Sequence, residues 1–275
     1  KKGNLLGTKV YDIFLLINGF VGIILLGVAV GTFFTGADFR IDKNNLMDVS
    51  MPVISTWQNP SHGLEAIVDW RNLLLGVTVF FLARVQASLY FMNNIDDDTI
   101  YIRCRRQVLY NAIPFVILFL TFVTVTLLAD GYEFAGESSE IYVRPYKYFF
   151  NLVEMPWVAV LFLVGVASVL YAIIRAAFAT KWRLGIWFSG IGTVLVVLSL
   201  FFLAGYNNTP YYPSATDMQS SLTIYNSSSS LFTLEVMSVV SLLLPFVLGY
   251  IFYAWRAMDR APITELEMES GEHKY

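Results

Sequence analysis

The sequence predicts an all-α, polytopic membrane bundle of about six spans, and three observations carry that expectation. Hydrophobic residues make up 56% of the chain and charged residues only 14%, against roughly 45–50% and about 25% in an ordinary soluble domain. The apolar residues gather into six runs of about 20, the length needed to cross the hydrocarbon of a bilayer. Backbone polar groups in lipid must be satisfied internally, so runs of this kind are helices and not open sheet.

The six spans are expected at about 11–35, 73–92, 110–129, 149–174, 185–204 and 232–255, in a single transmembrane domain that takes in residues 1–275, with 259–275 as a cytoplasmic tail. In the third, Pro114 is expected near the start, where first-turn donors lack intrahelical partners and its missing N–H costs little. In the sixth, Pro245 lies in the interior and is expected to kink the helix.

Lys and Arg fall unequally on the two sides. One alternating set of connections holds twelve: Lys1, Lys2, Lys9, Arg103, Arg105, Arg106, Arg175, Lys181, Arg183, Arg256, Arg260 and Lys274. The other holds five: Arg40, Lys43, Arg71, Arg144 and Lys147. Short cytoplasmic loops retain positive charge, so both ends of the chain are expected on the cytoplasmic side. Tyr11, Trp70, Tyr148, Trp182, Tyr206 and Trp255 stand near span ends, where an aromatic ring with a polar edge is at home.

Several function classes are set aside. With a net charge of −3 and no basic run, nucleic acid is not an expected partner. The single cysteine, Cys104, has no intrachain partner and no metal-ligand spacing. No Walker loop, GxGxxG, HExxH or CxxC occurs, so no motif supports nucleotide-driven transport or protease chemistry. The sequons at Asn207 and Asn226 are too short to carry weight.

Haem iron in a bundle needs His, Met, Cys or Tyr projecting inward. The only histidines, His62 and His273, lie in an outer loop and in the tail, so no bis-His site fits within this chain. Met155 and Met237 lie in or near spans, where a thioether is ordinarily packing. No catalytic residue, haem ligand or metal ligand is expected.

The candidate polar, proton or partner contacts are Arg84, Glu65, Glu154, Glu235, Ser220, Ser221 and Asn226. Arg84 stands deep in the second span, where a charge is expensive and tends to face a partner group or water. Glu154 and Glu235 are expected in the first turns of the fourth and sixth spans on the outer side, where compensation of the helix dipole is the plainer role and a polar lining for protons, water or a head group is the other. Ser220, Ser221 and Asn226 belong to a hydroxyl-rich stretch before the last span. Ser229, Ser230 or Thr233 could cap that span, and a head-group or partner-loop site is the alternative.

The stretches YNNTPYYPS and MQSSLTIYNSSSSLFTLEVMSVVSLLLPFVLGYIFYAW resemble the C-terminal region of cytochrome bd oxidase subunit II, as do GIWFSGIGT, HGLEA and FMNNIDDD. The resemblance implies a haem-free subunit of a quinol-oxidising, dioxygen-reducing terminal oxidase in the bacterial inner membrane. It implies subunit I as partner, carrying two haems b and haem d, and membrane lipid, quinone and a structural quinone as further associates. It also implies about nine spans in the family, three of them before Lys1. The rival reading is a secondary transporter or structural membrane subunit with a midplane polar site formed by Arg84, Glu154 and the serine cluster.

Overall fold

A computed structural model describes residues 8–42, 54–135, 140–179, 182–258 and 263–264. Among them, six helical stretches are long and apolar enough to cross a membrane, and the all-α polytopic class holds. Lys1, Lys2, Lys43, Lys181, Arg260, His273, Lys274 and nearly all of the 259–275 tail lie outside the described residues.

Helix α1 spans Thr8–Thr35 and packs on α2, Trp70–Asn94. A hairpin of β1 (Phe39–Ile41) and β2 (Ser55–Trp57) and a 3-10 turn at Leu64–Ile67 join them. Asp69 caps α2 by accepting the Arg71 N–H at 2.7 Å. Helix α3 runs from Asp98 to Leu128, preceded by the two-residue strand β3 (Ile95–Asp96) and capped by Asp97, which accepts the Ile100 N–H at 2.7 Å. Strand β4 (Gly131–Phe134) pairs antiparallel with β5 (Ile141–Arg144). Helix α4 (Lys147–Glu154) follows, then α5 (Pro156–Phe178) and α6 (Gly185–Gly205). The last stretch comprises the single turn α7 (Ile224–Ser227), then α8 (Leu231–Ser241) and α9 (Leu244–Met258), and β6 (Ile263–Thr264) pairs parallel with β3.

The core lies where α2, α3, α5 and α6 meet. One apolar cluster joins Val85, Leu89, Val108, Phe115, Val169 and Ala176, and a second joins Leu75, Phe122, Met155, Val158, Val196 and Leu200. Helices approach most closely at glycines, as small residues allow in a membrane. A Cβ on Gly192 would lie 2.7 Å from the Gly165 carbonyl, and one on Gly165 would lie 2.9 Å from the Gly192 carbonyl. Only glycine lets α5 and α6 sit this close.

Three helices differ from the sequence expectation. Helix α3 begins at Asp98, so Pro114 is well inside it and not in its first turn. The charged segment Ile102–Gln107 continues the helix past the apolar run, because Arg and Gln are good helix formers. The fourth apolar stretch is interrupted at Met155, which has φ −117° and ψ 73°. Pro156 forces this by disfavouring the α conformation in the residue before it, while serving well as the first residue of α5. In the sixth, the helix breaks at Leu242–Leu243, just before Pro245. Pro245 has no N–H for the Ser241 carbonyl, and Leu242 and Leu243 tighten onto Val239 and Val240 at 3.2 and 3.0 Å.

Candidate functional site

The richest polar site lies around the break at Met155. Helix α4 turns Lys147, Tyr148 and Asn151 inward and leaves Phe149, Phe150 and Val153 exposed, as suits a helix with polar structure behind it and apolar surroundings in front. Tyr146, at φ 53°, redirects the chain from β5 into this helix. Lys147 is fully buried, and its Nζ sits 3.2 Å from Glu133 Oε1 on β4 and donates to the Asn207 carbonyl at 3.0 Å. Arg144, on β5, donates from Nη1 to both Glu133 oxygens at 3.2 and 3.1 Å and from Nη2 to Glu154 at 2.9 Å. Its guanidinium also lies over the Phe150 ring, 4.6 Å from the centroid.

Asn207 closes the network. Its amide donates to Glu154 Oε2 at 2.5 Å and to Asn151 Oδ1 at 3.1 Å. The Asn151 amide donates in turn to the Leu203 carbonyl at 3.0 Å and to the Thr209 hydroxyl at 2.8 Å. Asn207 and Asn208 hold φ of 54° and 55°, a left-handed conformation that asparagine tolerates better than most residues. Two carboxylates thus balance two cations. The Asn207 hydrogen bond and the Arg144 pair hold the Glu154 carboxyl below its ordinary range, against the opposing effect of burial. Burial pushes Lys147 down, with the Glu133 charge resisting. Glu154 is therefore the last residue of α4, ion-paired, and not a first-turn residue of a span. The cluster is a clasp joining hairpin, helix break and the loop after α6.

Glu65 stands apart, in a pocket of about 170 Å³ lined by Asp38, Asp69, Asn72, Thr35 and Gly36, where the C-terminal end of α1 meets the N-terminal end of α2. Burial pushes its carboxyl up, but bonds from the Ser61 hydroxyl and from the Gly63 N–H at 3.0 Å bring it below the ordinary value. Its Oε1 is buried with no partner among the described residues. Among those residues no group of three or more His, Cys, Asp or Glu side chains is arranged to hold a metal.

Ser220, Ser221 and Asn226 are tied into the loop fold. Ser220 Oγ accepts the Ile41 N–H at 3.0 Å and donates to Asp217 at 2.7 Å, while Ser221 Oγ accepts the Ser214 N–H at 2.9 Å. Asn226 forms a reciprocal cap with Thr223 and donates to the Ser221 carbonyl at 2.9 Å. Ser230 caps α8 by accepting the Thr233 N–H at 3.3 Å. Glu235 is exposed on α8, with no ion pair or hydrogen bond of its side chain among the described residues.

Within the membrane-spanning part, Arg84 is exposed on α2, ten residues before the Asn94 end, or roughly 15 Å at 1.5 Å per residue. Its Nε donates to Asn111 Oδ1 on α3 at 2.9 Å, and no carboxylate among the described residues pairs with it. Two residues on, Gln86 donates to Thr193 of α6 at 2.8 Å. Met155 packs in the core, whereas Met237 is exposed on α8. The structure thus brings Ser220, Ser221 and Asn226 together but leaves Arg84, Glu65, Glu154 and Glu235 at four separate places.

The family model for cytochrome bd terminal oxidase subunit II matches residues 1–258 of the 275. The chain belongs to that family. No curated protein matches the sequence. As a cytochrome bd oxidase subunit II, the chain uses its recognisable stretches mainly for architecture. In FMNNIDDD, Asp96 pairs with Arg183 and Asp97 caps α3. In HGLEA, Gly63 at φ 93° makes the turn into the 3-10 segment that carries Glu65. GIWFSGIGT supplies Gly192 to the α5–α6 crossing.

Reading the sequence alone missed Glu133, Lys147, Asn151, Asn207 and Thr209 as members of one cluster. Lys147 and Arg144 entered only as charges on the outer side. The available signal was Pro156, which marks the helix break, with Arg144, Lys147 and Glu154 in the stretch before it.

Proposed function

We propose that this chain is the haem-free subunit of a terminal oxidase that takes electrons from membrane quinol and reduces dioxygen to water. The family match over residues 1–258 carries the reading. Two haems b and haem d would reside on the partner, subunit I, with a structural quinone as a further associate. A haem does not fit the donors this chain offers. The spans contain no histidine, Met155 is enclosed in the core, and the buried Tyr148 hydroxyl is directed to the Phe34 carbonyl at 3.4 Å.

In this reading both ends of the chain face the cytoplasm of a bacterial inner membrane, as the twelve-to-five distribution of Lys and Arg favours. Arg84 faces the partner. Its exposure in mid-span and its neutral partners among the described residues, the Asn111 side chain and the Phe80 ring, support that role, since an ionised side chain at this depth is stabilised by a companion charge. The Glu154 clasp holds the outer loops in place, and Glu65 lines a separate polar pocket on the same side.

The test is to tag the chain, extract it in mild detergent and supply quinol. A haem-bearing partner should co-purify and the eluate should consume oxygen. A chain that elutes alone, or an eluate inert to quinol, contradicts the proposal.

A further inference from the structure

A cavity of about 120 Å³ lies at the centre of the bundle, among α2, α3, α5 and α6. Leu82, Phe119, Val166 and Val196 form much of its wall, and thirteen of its fifteen lining residues are apolar. The two exceptions are Thr78 and Thr193. Each spends its hydroxyl proton on its own helix, Thr78 on the Leu74 carbonyl at 2.7 Å and Thr193 on the Ser189 carbonyl at 2.8 Å. Gln86 further occupies the Thr193 oxygen at 2.8 Å.

A buried water requires about two to four polar partners, and apolar cavities of about 150 Å³ stay dry and take up benzene or xenon. This wall offers no free donor, so water gains nothing by entering. An apolar solute is in the opposite position, because it leaves hydrocarbon for a wall of matching polarity without breaking hydrogen bonds. Leu120 and Val197 line the cavity and also carry exposed surface, so its rim reaches the side of the bundle that faces lipid. The volume admits a diatomic gas or a noble-gas atom.

We propose that this cavity takes up small apolar molecules of the size of dioxygen from the surrounding lipid. Dioxygen as the natural occupant rests on the oxidase reading, whereas the uptake itself rests only on the cavity. A subunit without redox centres would then hold, within the membrane, the apolar substrate that its partner consumes.

Xenon is the probe. The intact complex is pressurised with xenon and its structure determined, alongside the variants Val166→Phe, which fills the cavity, and Leu82→Ala, which enlarges it. A xenon atom should appear between Leu82, Phe119 and Val196, disappear in Val166→Phe and gain occupancy in Leu82→Ala. If Val166→Phe fails to assemble, the unmodified complex and Leu82→Ala still decide the matter. Ordered water or a lipid tail in the cavity, or no xenon there, overturns the proposal. Xenon bound in a complex that shows no quinol-driven oxygen uptake overturns dioxygen as the occupant while the cavity assignment stands.

Discussion

At the scale of single residues, Lys147 is the most consequential group of the clasp. It is a fully buried cation held by Glu133 and one carbonyl. Removing one member of a buried pair costs about 3–5 kcal/mol where the survivor is left uncompensated, and less here, because Arg144 still bonds both Glu133 oxygens. Lys147→Ala should lower the unfolding temperature of the complex in detergent far more than Arg71→Ala, whose pair with Asp69 is partly exposed. Glu154 makes a different prediction. Its folded value lies below that of a free glutamate, so its contribution is present above the ordinary glutamate range and is lost as pH falls through the folded value. Glu154→Gln should therefore flatten the acid side of a stability-against-pH profile and cost about 1 kcal/mol or less at pH 7, because the side chain is partly exposed. An unchanged acid limb would show that the Arg144 and Asn207 contacts do not hold the carboxylate. Arg84 is tested by a double-mutant cycle with Asn111. Hydrogen bonds between membrane helices couple by about 0.6 kcal/mol on average and up to about 1.7, and a value near zero would detach Arg84 from α3. Arg84 was legible in the sequence because a charge interrupts an apolar run. Lys147 was not, because its burial depends on β4 and Asn207, which are distant in the chain.

At the scale of elements, the spans were readable from apolar run length, and their ends were less so. Helix α3 extends into a charged segment because helix propensity, and not hydrophobicity, governs residues outside the lipid. The break at Met155 was present in the sequence as Pro156, but an apolar run that continues on both sides of a proline reads as one span. The α5–α6 crossing gives a contrast within one helix. A Cβ on Gly192 meets the Gly165 carbonyl at 2.7 Å, whereas one on Gly190 meets nothing within 4 Å. Gly192→Leu should cost about 1–3 kcal/mol by overpacking. Gly190→Ala should be neutral or slightly stabilising, since alanine is favoured over glycine in a helix by up to about 1 kcal/mol. Thermal unfolding of both variants in the same detergent makes the comparison, and equal losses would mean that α5 and α6 are not in close contact. Helices α8 and α9 present a third case, exposed from Leu231 to Tyr253. Their apolar character marked them as a span, and nothing in the sequence marked them as standing clear of the core.

At the scale of the whole molecule, composition and charge asymmetry supplied the class and the expected orientation, while the resemblance of short stretches supplied the family. The site was less legible, because its members come from β4, β5, α4 and the loop after α6, and sequence proximity does not reveal that convergence. Orientation has its own test. With Cys104→Ser as background, Ser227→Cys should react with an impermeant maleimide in spheroplasts, and a cysteine placed in the 259–275 tail should not. The reverse pattern would invert the topology. The central claim, that this chain is a haem-free subunit of a haem-bearing oxidase, is met most directly by the visible spectrum of the purified complex before and after its subunits are separated. The haem d band at the red end of the spectrum should be present in the complex and should leave entirely with the partner. Haem that remains bound to this chain alone would contradict the account.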